Sequence, residues 1–514
     1  MKKLQKLMSE WKGMAPDNPR DRMSQNQVWL MQDYIPRLLG SSLESRQGWT
    51  YYGSSTPMNG YVTSQFWLNT VGGNHHLACT PTTAYNLDAL STGGSPRAIV
   101  GAAALWPMTS LYEYILIPQT GNQLPIILQY KPGQSVETVI TVNANTPRGK
   151  VASTWQSRFI LANEDAHPNR VSFLPPEWTT PGDASPAWDV KAWLDSSADV
   201  TGLATTRNAL LIFHEGTVER LRGTRVPGAG VDPDVWIEPL VGLGGCNEPH
   251  TICYWNDNVL FADARGVYLT DGTTIRDIST QGGVGREWRK AYDPIWRVAA
   301  GVVFDQYVVA MVDLTNKLFK KCFVADLYSR NWTVFTNIPC SSLLASAGEV
   351  ERLFGGDLNG RVLNLSSMWT EADPTTNTLD GNGTPVLPQL ETAWYRMSDE
   401  EEMKRVKNVY FSFDLDEADG QMNVYVCEQP QPRRPSDWIL LKTIKEGDLL
   451  DDRGQPIQID GYRRRRIALG REFYGFAFKI ETVGTLKNLK LFDLSAELVP
   501  AREQSYAYTR KVAS

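Results

Sequence analysis

Along this chain apolar and polar positions alternate in short bursts rather than in long helical stripes. In residues 255–280, "WNDNVLFADARGVYLTDGTTIRDIST", the bursts "VLF", "VYL" and "TIRDI" are separated by "ADARG" and "TDGT". Each burst is too short for a helix. Each gap sets a Gly beside an Asp or Arg, residue types that tolerate tight turns. The stretch predicts strand, turn, strand, turn, strand.

The same texture runs from residue 23 to about residue 370. Two strands around a turn are expected in 76–90 and again in 112–133, and a hairpin about Glu215 and Gly216 in 209–224. Three strands are expected in 306–335, the last led by Trp332, and two more in 352–365. "FADARGVYL" and "FGGDLNGRVLNL" each place an Asp three residues before a Gly, as Asp263 and Gly266 and as Asp357 and Gly360. In both, the Asp is expected to cap its own turn and the Gly to take a positive φ. Asp271 and Gly272 form a further turn of the same stretch. Repeated meanders of short strands with Trp on inner strands predict a β-propeller of about six blades, at roughly 40–50 residues per blade.

The flanks differ from this middle. In residues 1–22, Leu4, Leu7, Met8 and Trp11 fall at i, i+3, i+4 and i+7, which predicts one face of a short helical arm, either docked on another surface as an interface or a frayed terminus. Residues 371–390 are polar and rich in Gly and Pro and read as a linker. Residues 391–500 alternate with period two and predict an antiparallel β-sandwich, and 501–514 read as a C-terminal tail. The fold class expected is thus all-β: propeller, appended sandwich and N-terminal arm.

Composition narrows the functions. The chain has 514 residues, 42% hydrophobic and 21% charged, which fits a globular protein and argues against wholesale disorder. Seventeen Trp, 20 Tyr and 16 Phe with 41 Gly and 30 Pro favour strands and turns. The net charge of −6 gives no general reason to bind nucleic acid or an anionic membrane. No secretory signal is read at the start, and no run approaches the ~18 apolar residues of a membrane span. Synthesis and folding in a cytoplasm are expected.

Candidate chemistry is sparse. The six cysteines (Cys79, Cys246, Cys253, Cys322, Cys340, Cys427) form no C-x-x-C pair and read as buried thiols. Of the five histidines, His75 and His76 would point to opposite faces of a strand, and none belongs to a metal motif. "GLGGC" at 242–246 lacks a following helix pattern, so a phosphate cradle is not expected. A glycosidase would need two carboxylates across a pocket, which sequence cannot place. "LTDGTTIRD" matches the S-x-D-x-G-x-T-W turn of sialidase blades poorly, lacking its Ser and its Trp. In "YRRRR", Arg463 and Arg465 would face one way and Arg464 and Arg466 the other. The choice is between a nucleic-acid track and an ion-paired subunit contact or charged edge strand, and the acidic chain favours the second. No catalytic, cofactor or metal residue is assigned.

The order "QNQVWLMQDYIPRLLGSSLESRQGW", "LACTPTTAYNLD", "RVSFLPPEWTTPGDASPAWD", "TTRNALLIFHEGTVERLRGT", "GCNEPHTICYWNDNVLFADARGVYLTDGTTIRDIST" and "ETAWYRMSDEEEMKRVKNVYF" resembles the β-propeller tail tubular (nozzle or hub) proteins of tailed bacteriophages, above all short-tailed ones. The resemblance spans about residues 25–500 and lies in pattern and order rather than in one motif. It implies a virion structural protein without catalysis. Such a protein forms a homo-oligomeric, hexameric ring below the portal and adaptor, with fibres or spikes attached outside and genomic DNA passing through the bore. The bore wall would then be acidic or neutral, so that phosphates slide. The competing expectation is a carbohydrate-binding or glycosidase-like propeller that recognises a host receptor. A cellular WD-type propeller is disfavoured by the missing Gly-His and Trp-Asp spacing.

Overall fold

The computed structural model describes residues 3–8, 10–24, 26–37, 42–53, 56–70, 73–131, 137–140, 142, 144, 146–174, 192–226, 233–346, 351–369, 380–396, 404–416, 421–429, 432, 434–445, 458–459, 462–484 and 487–500. The chain divides into two units. One holds Gln47–Asp373 and Leu379–Val386; the other holds Met1–Arg46, Pro374–Thr378 and Leu387–Ser514.

The described residues of the first unit build seven antiparallel blades of four strands each. Blade 1 runs Ser64–Thr70, Gly73–Cys79, Thr83–Asn86 and Arg97–Gly101. Blade 2 runs Thr109–Leu111, Tyr114–Ile117, Ile126–Gln129 and Thr138–Ile140. Blade 3 runs Gly149–Trp155, Arg158–Glu164, His167–Phe173 and Trp193–Asp195. Blade 4 runs Gly202–Thr205, Leu210–Phe213, Val218–Arg222 and Trp236–Pro239. Blade 5 runs Cys253–Trp255, Asn258–Ala262, Val267–Thr270 and Ile275–Asp277. Blade 6 runs Arg297–Val303, Gln306–Asp313, Leu318–Asp326 and Trp332–Phe335. Blade 7 takes Cys340–Ser346, Arg352–Asp357 and Val362–Asn364, and Thr50–Tyr51 from the start of the unit adds its fourth strand. The sequence estimate of about six blades is corrected to seven.

The ring closes twice. Thr50–Tyr51 supplies the fourth-strand closure, and the first strand of blade 7 meets that of blade 1 through Gln65 Nε2 donating to Ser342 Oγ at 3.1 Å. Ser341 Oγ donates to the Val62 carbonyl at 2.6 Å.

Blade packing explains why the second strands of blades 2 and 4 are apolar throughout instead of alternating. In blade 4, Leu210 and Ile212 pack toward blade 3, with Val151, Ile160 and Phe173. Their neighbours Leu211 and Phe213 pack toward blade 5, with Val259, Phe261 and Tyr268. Blade 2 repeats this, with Ile115 and Ile117 toward blade 1 and Tyr114 and Leu116 toward blade 3. A strand buried on both faces needs apolar residues at every position, and each blade-to-blade seam is a piece of hydrophobic core.

Two helical turns, Ile278–Gln281 and Gly285–Ala291, follow blade 5 and were not anticipated. Asp277 caps the first by accepting from the Thr280 N–H at 2.8 Å. Trp288 of the second is fully buried and donates its indole N–H to the Asp263 carbonyl at 2.9 Å, so the pair seals the end of blade 5.

The second unit is a β-sandwich. One sheet runs in the order Tyr34–Arg37, Ser42–Ser45, Lys487–Pro500, Lys404–Asp416, Tyr462–Phe473 and Gln458–Ile459. The other contains Val28–Gln32, Gln389–Thr392, Gly475–Val483, Gln421–Cys427 and Ile439–Lys445. Phe411 of the first meets Phe478 of the second edge to face, with ring centroids 5.5 Å apart.

Three expectations are revised here. The N-terminal arm is not helical: Lys3–Met8 is a strand paired antiparallel with Lys487–Pro500, Leu4 opposite Glu497, with a bulge between Lys6 and Met8. Leu7, Met8 and Trp11 are buried, and the Trp11 indole N–H donates to the Phe492 carbonyl at 3.2 Å. A helix this short is marginal in water, and a ready sheet edge outcompetes it. The propeller unit starts at Gln47 rather than 23, because strands Val28–Gln32, Tyr34–Arg37 and Ser42–Ser45 belong to the sandwich. Within the expected 371–390 linker, Asp380 is buried and accepts from the Trp49 N–H at 3.2 Å and from Asn337 Nδ2 at 2.7 Å, so this part is built into the propeller. The 501–514 tail lies outside the described residues.

Candidate functional site

The axis of a propeller is where its loops converge, and here it is crossed by the chain itself. The connector from blade 1 to blade 2 carries Leu105, whose carbonyl oxygen accepts from His250 Nε2 at 2.7 Å and from Arg297 Nη1 at 3.2 Å. His250 lies in the connector between blades 4 and 5, and Arg297 opens blade 6. In a seven-blade ring these positions face the blade 1–2 seam across the axis, so the 102–108 connector is a plug. Its neighbours hold it: Thr63 Oγ1 donates to the Ala104 carbonyl at 2.6 Å, and Thr120 N to the Ala103 carbonyl at 3.0 Å. The Trp106 ring stacks near the His250 imidazole, with centroids 6.3 Å apart. Sequence reasoning passed over this site, because "AAALWPM" carries no chemical motif and His250 stands alone.

Burial sets the protonation of this region. Desolvation holds His250 well below its ordinary range, helped by the charge of Arg297. Burial pushes the Glu248 carboxyl up to about 7, against the opposing pull of Arg297. At the blade 7–1 seam, burial lowers His76 to about 3, opposed by Asp88. The signs differ. Neutral buried His76 and His250 favour the fold above the unfolded value of 6.5, and that contribution is lost as pH falls from there toward 3. Glu248 binds its proton more tightly when folded, so its contribution is full below 4.5 and lost as pH rises through about 7. Glu248→Gln is therefore expected to raise the thermal midpoint at alkaline pH and to steepen its decline on acidification. The two pH profiles should converge near pH 4.5. Scanning calorimetry of both proteins across this range checks it, and parallel profiles would contradict the assignment.

His75 and His76 do face opposite sides of their strand. His75 Nδ1 meets Asp88 Oδ2 at 2.8 Å and its ring stacks on Tyr130, centroids 4.1 Å apart. His76 Nε2 meets Gln65 Oε1 at 3.1 Å. The His75 side is a polar seam between blades 1 and 2. Asn86 Nδ2 donates to Asp88 Oδ2 at 3.1 Å and to Glu137 Oε2 at 3.3 Å, and Arg97 Nη2 grips both Glu137 oxygens at 2.8 and 2.6 Å. Two carboxylates do converge here, but each is engaged by neighbouring side chains, the arrangement of a joint between blades. Among the described residues no group of three or more His, Cys, Asp or Glu is placed to hold a metal. Cys79, Cys246, Cys322, Cys340 and Cys427 are buried and Cys253 is half-buried.

The turn residues singled out in the sequence hold turns by side-chain capping. Asp263 is buried; its Oδ1 accepts from the N–H groups of Arg265 at 2.7 Å and Gly266 at 3.0 Å, and its Oδ2 from Gly245 N at 3.3 Å and Arg265 Nη2 at 2.7 Å. Asp357 Oδ1 accepts from Asn359 N at 2.8 Å and Arg361 N at 2.6 Å, and burial raises its carboxyl. Asp271 Oδ1 accepts from Thr273 and Thr274 N–H groups, and with the Thr273 hydroxyl first among the causes its carboxyl is lowered to about 2. Gly272 and Gly360 take φ of 83° and 81°. Gly266 does not belong to the positive-φ set; what it requires is space, since a Cβ there would sit 2.6 Å from Ser279 Oγ. Asp263→Ala strands several N–H donors and is expected to cost about 2 kcal/mol, with Asp263→Asn costing less. Denaturant midpoints of the two variants check this.

The arginine run lies on Tyr462–Phe473. Arg463, Arg464, Arg465 and Arg466 are registered opposite Phe413, Ser412, Phe411 and Tyr410, and only the two-residue strand Gln458–Ile459 pairs on the far side among the described residues. The run is thus next to a sheet edge, and Arg466 is exposed. The acidic residues 399–402 before this sheet fall outside the described residues.

No family model and no curated protein matches the chain. Among solved structures it is similar to the extracellular domain of the one component system BT4673 from B. thetaiotaomicron. Identity is 11% and the TM-score 0.41, with 87% of this chain and 63% of that one covered. The corresponding domain described as a hybrid two component system gives 12%, 0.42 and the same coverage. A structure of S. cerevisiae Dbp5 bound to Nup159, Gle1, IP6 and ADP gives 9% and 0.36, covering 62% of this chain and 95% of that one. This chain therefore spans less than two thirds of the BT4673 domains it matches. Likenesses this loose do not bear on function. Among the described residues, no helix is long and apolar enough to cross a membrane.

Proposed function

We propose that this chain is a non-catalytic structural protein of a bacteriophage tail, a subunit of a homo-oligomeric nozzle or hub ring, as its sequence resemblance implies. The observation that supports it best is the closed axis. Leu105, His250 and Arg297 fill the position at which a propeller would hold a substrate. The carboxylates that sequence left open for catalysis are engaged in the Asn86–Glu137–Arg97 seam and in turn caps. What remains is a rigid block closed on itself and suited to tiling around an axis. On this reading about six copies surround a common bore below the portal and adaptor, in the closed cyclic ring that the resemblance implies. DNA then passes between the subunits rather than through any one propeller, and fibres or spikes dock outside. Gold-labelled antibodies against the chain, imaged on intact particles, test it. Label at the tail is the expected result. Label on the capsid alone, or none, would contradict it.

A further inference from the structure

Blade 7 meets blade 1 around one imidazole. His76, on the second strand of blade 1, is 2% exposed and lies among three aromatic rings. Centroid to centroid, Phe354 of blade 7 is 4.9 Å away, Trp67 of blade 1 5.5 Å, and Tyr52, just after the closing strand, 6.1 Å. His76 Nε2 donates to Gln65 Oε1 at 3.1 Å, which leaves the Gln65 amide nitrogen to donate to Ser342 Oγ of blade 7, also at 3.1 Å. His76 Nδ1 is buried and has no hydrogen-bond partner. The other histidines are placed differently. His75 and His214 each set a ring nitrogen against a carboxylate, Asp88 at 2.8 Å and Glu219 at 3.2 Å. His250 meets the Leu105 carbonyl, and His167 is exposed.

From this geometry we infer that His76 makes ring closure acid-sensitive: on acidification blade 7 parts from blade 1 before the other blade seams give way. A second ring proton goes to Nδ1, where the enclosure offers no acceptor, so the charged imidazole needs water that only parted blades admit. The groups packed around it do not supply that acceptor. Asp88 Oδ1 accepts from the His76 backbone N–H at 2.7 Å and its Oδ2 from His75 Nδ1. The Tyr85 hydroxyl accepts from Asn59 N at 3.2 Å, and Arg352, on the strand of Phe354, sets a second positive charge beside Tyr52. The segment after the closing strand is tied to both blades. Tyr52 N donates to the Val362 carbonyl at 2.8 Å, Met58 N to that of Gly360 at 2.8 Å and Val62 N to that of Asp357 at 3.1 Å, all on blade 7. On the blade 1 side, Asn59 holds Tyr85 and Gly53 presses on Leu90. Parting the blades therefore strips amides in this segment. The device belongs to the propeller itself and stands whether or not the chain is a tail subunit.

Hydrogen exchange of the full chain, followed by mass spectrometry and corrected for intrinsic rates, tests it. Only the parted form takes up the proton between pH 6.5 and about 3. Protection in peptides carrying the Tyr52, Met58 and Val62 amides should thus fall about tenfold per pH unit on acidification from 6.5. Strands Leu210–Phe213 and Val218–Arg222 of blade 4 should keep theirs. His76→Gln still donates to Gln65 but does not titrate, and His76→Phe fills the enclosure with a ring that carries no nitrogen. Both should protect the three amides equally at every pH in this range. A parent protein whose protection there does not change with pH, or falls as steeply in blade 4, would overturn the inference. So would the parent's slope in either folded variant.

Discussion

Gly360→Val is expected to prevent the propeller from closing. Gly360 has φ 81°, which a β-branched residue adopts only at a cost of about 1–2 kcal/mol. A Cβ there would also press into the carbonyl oxygens of Met58 and Gly60. Those oxygens belong to the backbone that leads from the closing strand Thr50–Tyr51 into blade 1, and Met58 N donates to the Gly360 carbonyl at 2.8 Å. Backbone cannot rotate aside as a side chain would, so overpacking adds about 1–3 kcal/mol. The sum falls on the seam that closes the ring. Gly93→Val separates the two effects, because Gly93 has φ 80° with nothing within 4 Å of its added Cβ. It should lower the propeller's unfolding midpoint modestly, whereas Gly360→Val should yield insoluble protein or a much lower midpoint. Equal midpoints for the two would mean that the collision is relieved.

The second large effect lies in the sandwich. Arg46 Nε donates to Asp33 Oδ1 at 2.6 Å, and both side chains are fully buried. Arg46 N also donates to the Asp33 carbonyl at 2.9 Å, so the pair ties off the hairpin of Tyr34–Arg37 and Ser42–Ser45. Arg46→Met leaves the Asp33 carboxylate buried without the guanidinium and is expected to cost about 3–5 kcal/mol. The stranded charge, more than the lost attraction, causes that cost. Asp33→Asn in the same chain should therefore recover much of it, since Asn tolerates the φ of 57° at this position. With two units, unfolding is best followed as two transitions, and only the sandwich transition should move. A double variant no more stable than Arg46→Met would show that the pair acts otherwise.

Local structure was legible where turn chemistry is strong. Residues 255–280 read as alternating strands and turns because Asp263, Asp271 and Gly272 mark the turns, and three blade 5 strands lie there with the fourth just before. The blade count was not legible because one backbone task is given to unlike residues. Thr80, His214 and Asp263 each end a second strand with an N–H donated to the carbonyl three residues on. Asp357 does the same across one residue more. Geometry repeats while residue type does not, and the sequence period is erased. Closure by Thr50–Tyr51 is a pairing with the far end of the unit, beyond any local pattern. The plug was invisible for a related reason: a main-chain carbonyl at Leu105 is its centre, and sequence does not advertise carbonyls. At Lys3–Met8 the helical spacing was real but short, and tertiary pairing overrode it.

The tail-ring reading is tested most directly by quantitative mass spectrometry of purified phage particles from the source, counting this chain against the portal protein. The account predicts its presence at about six copies per particle, the hexameric ring that the resemblance implies. Absence from the particle would contradict it.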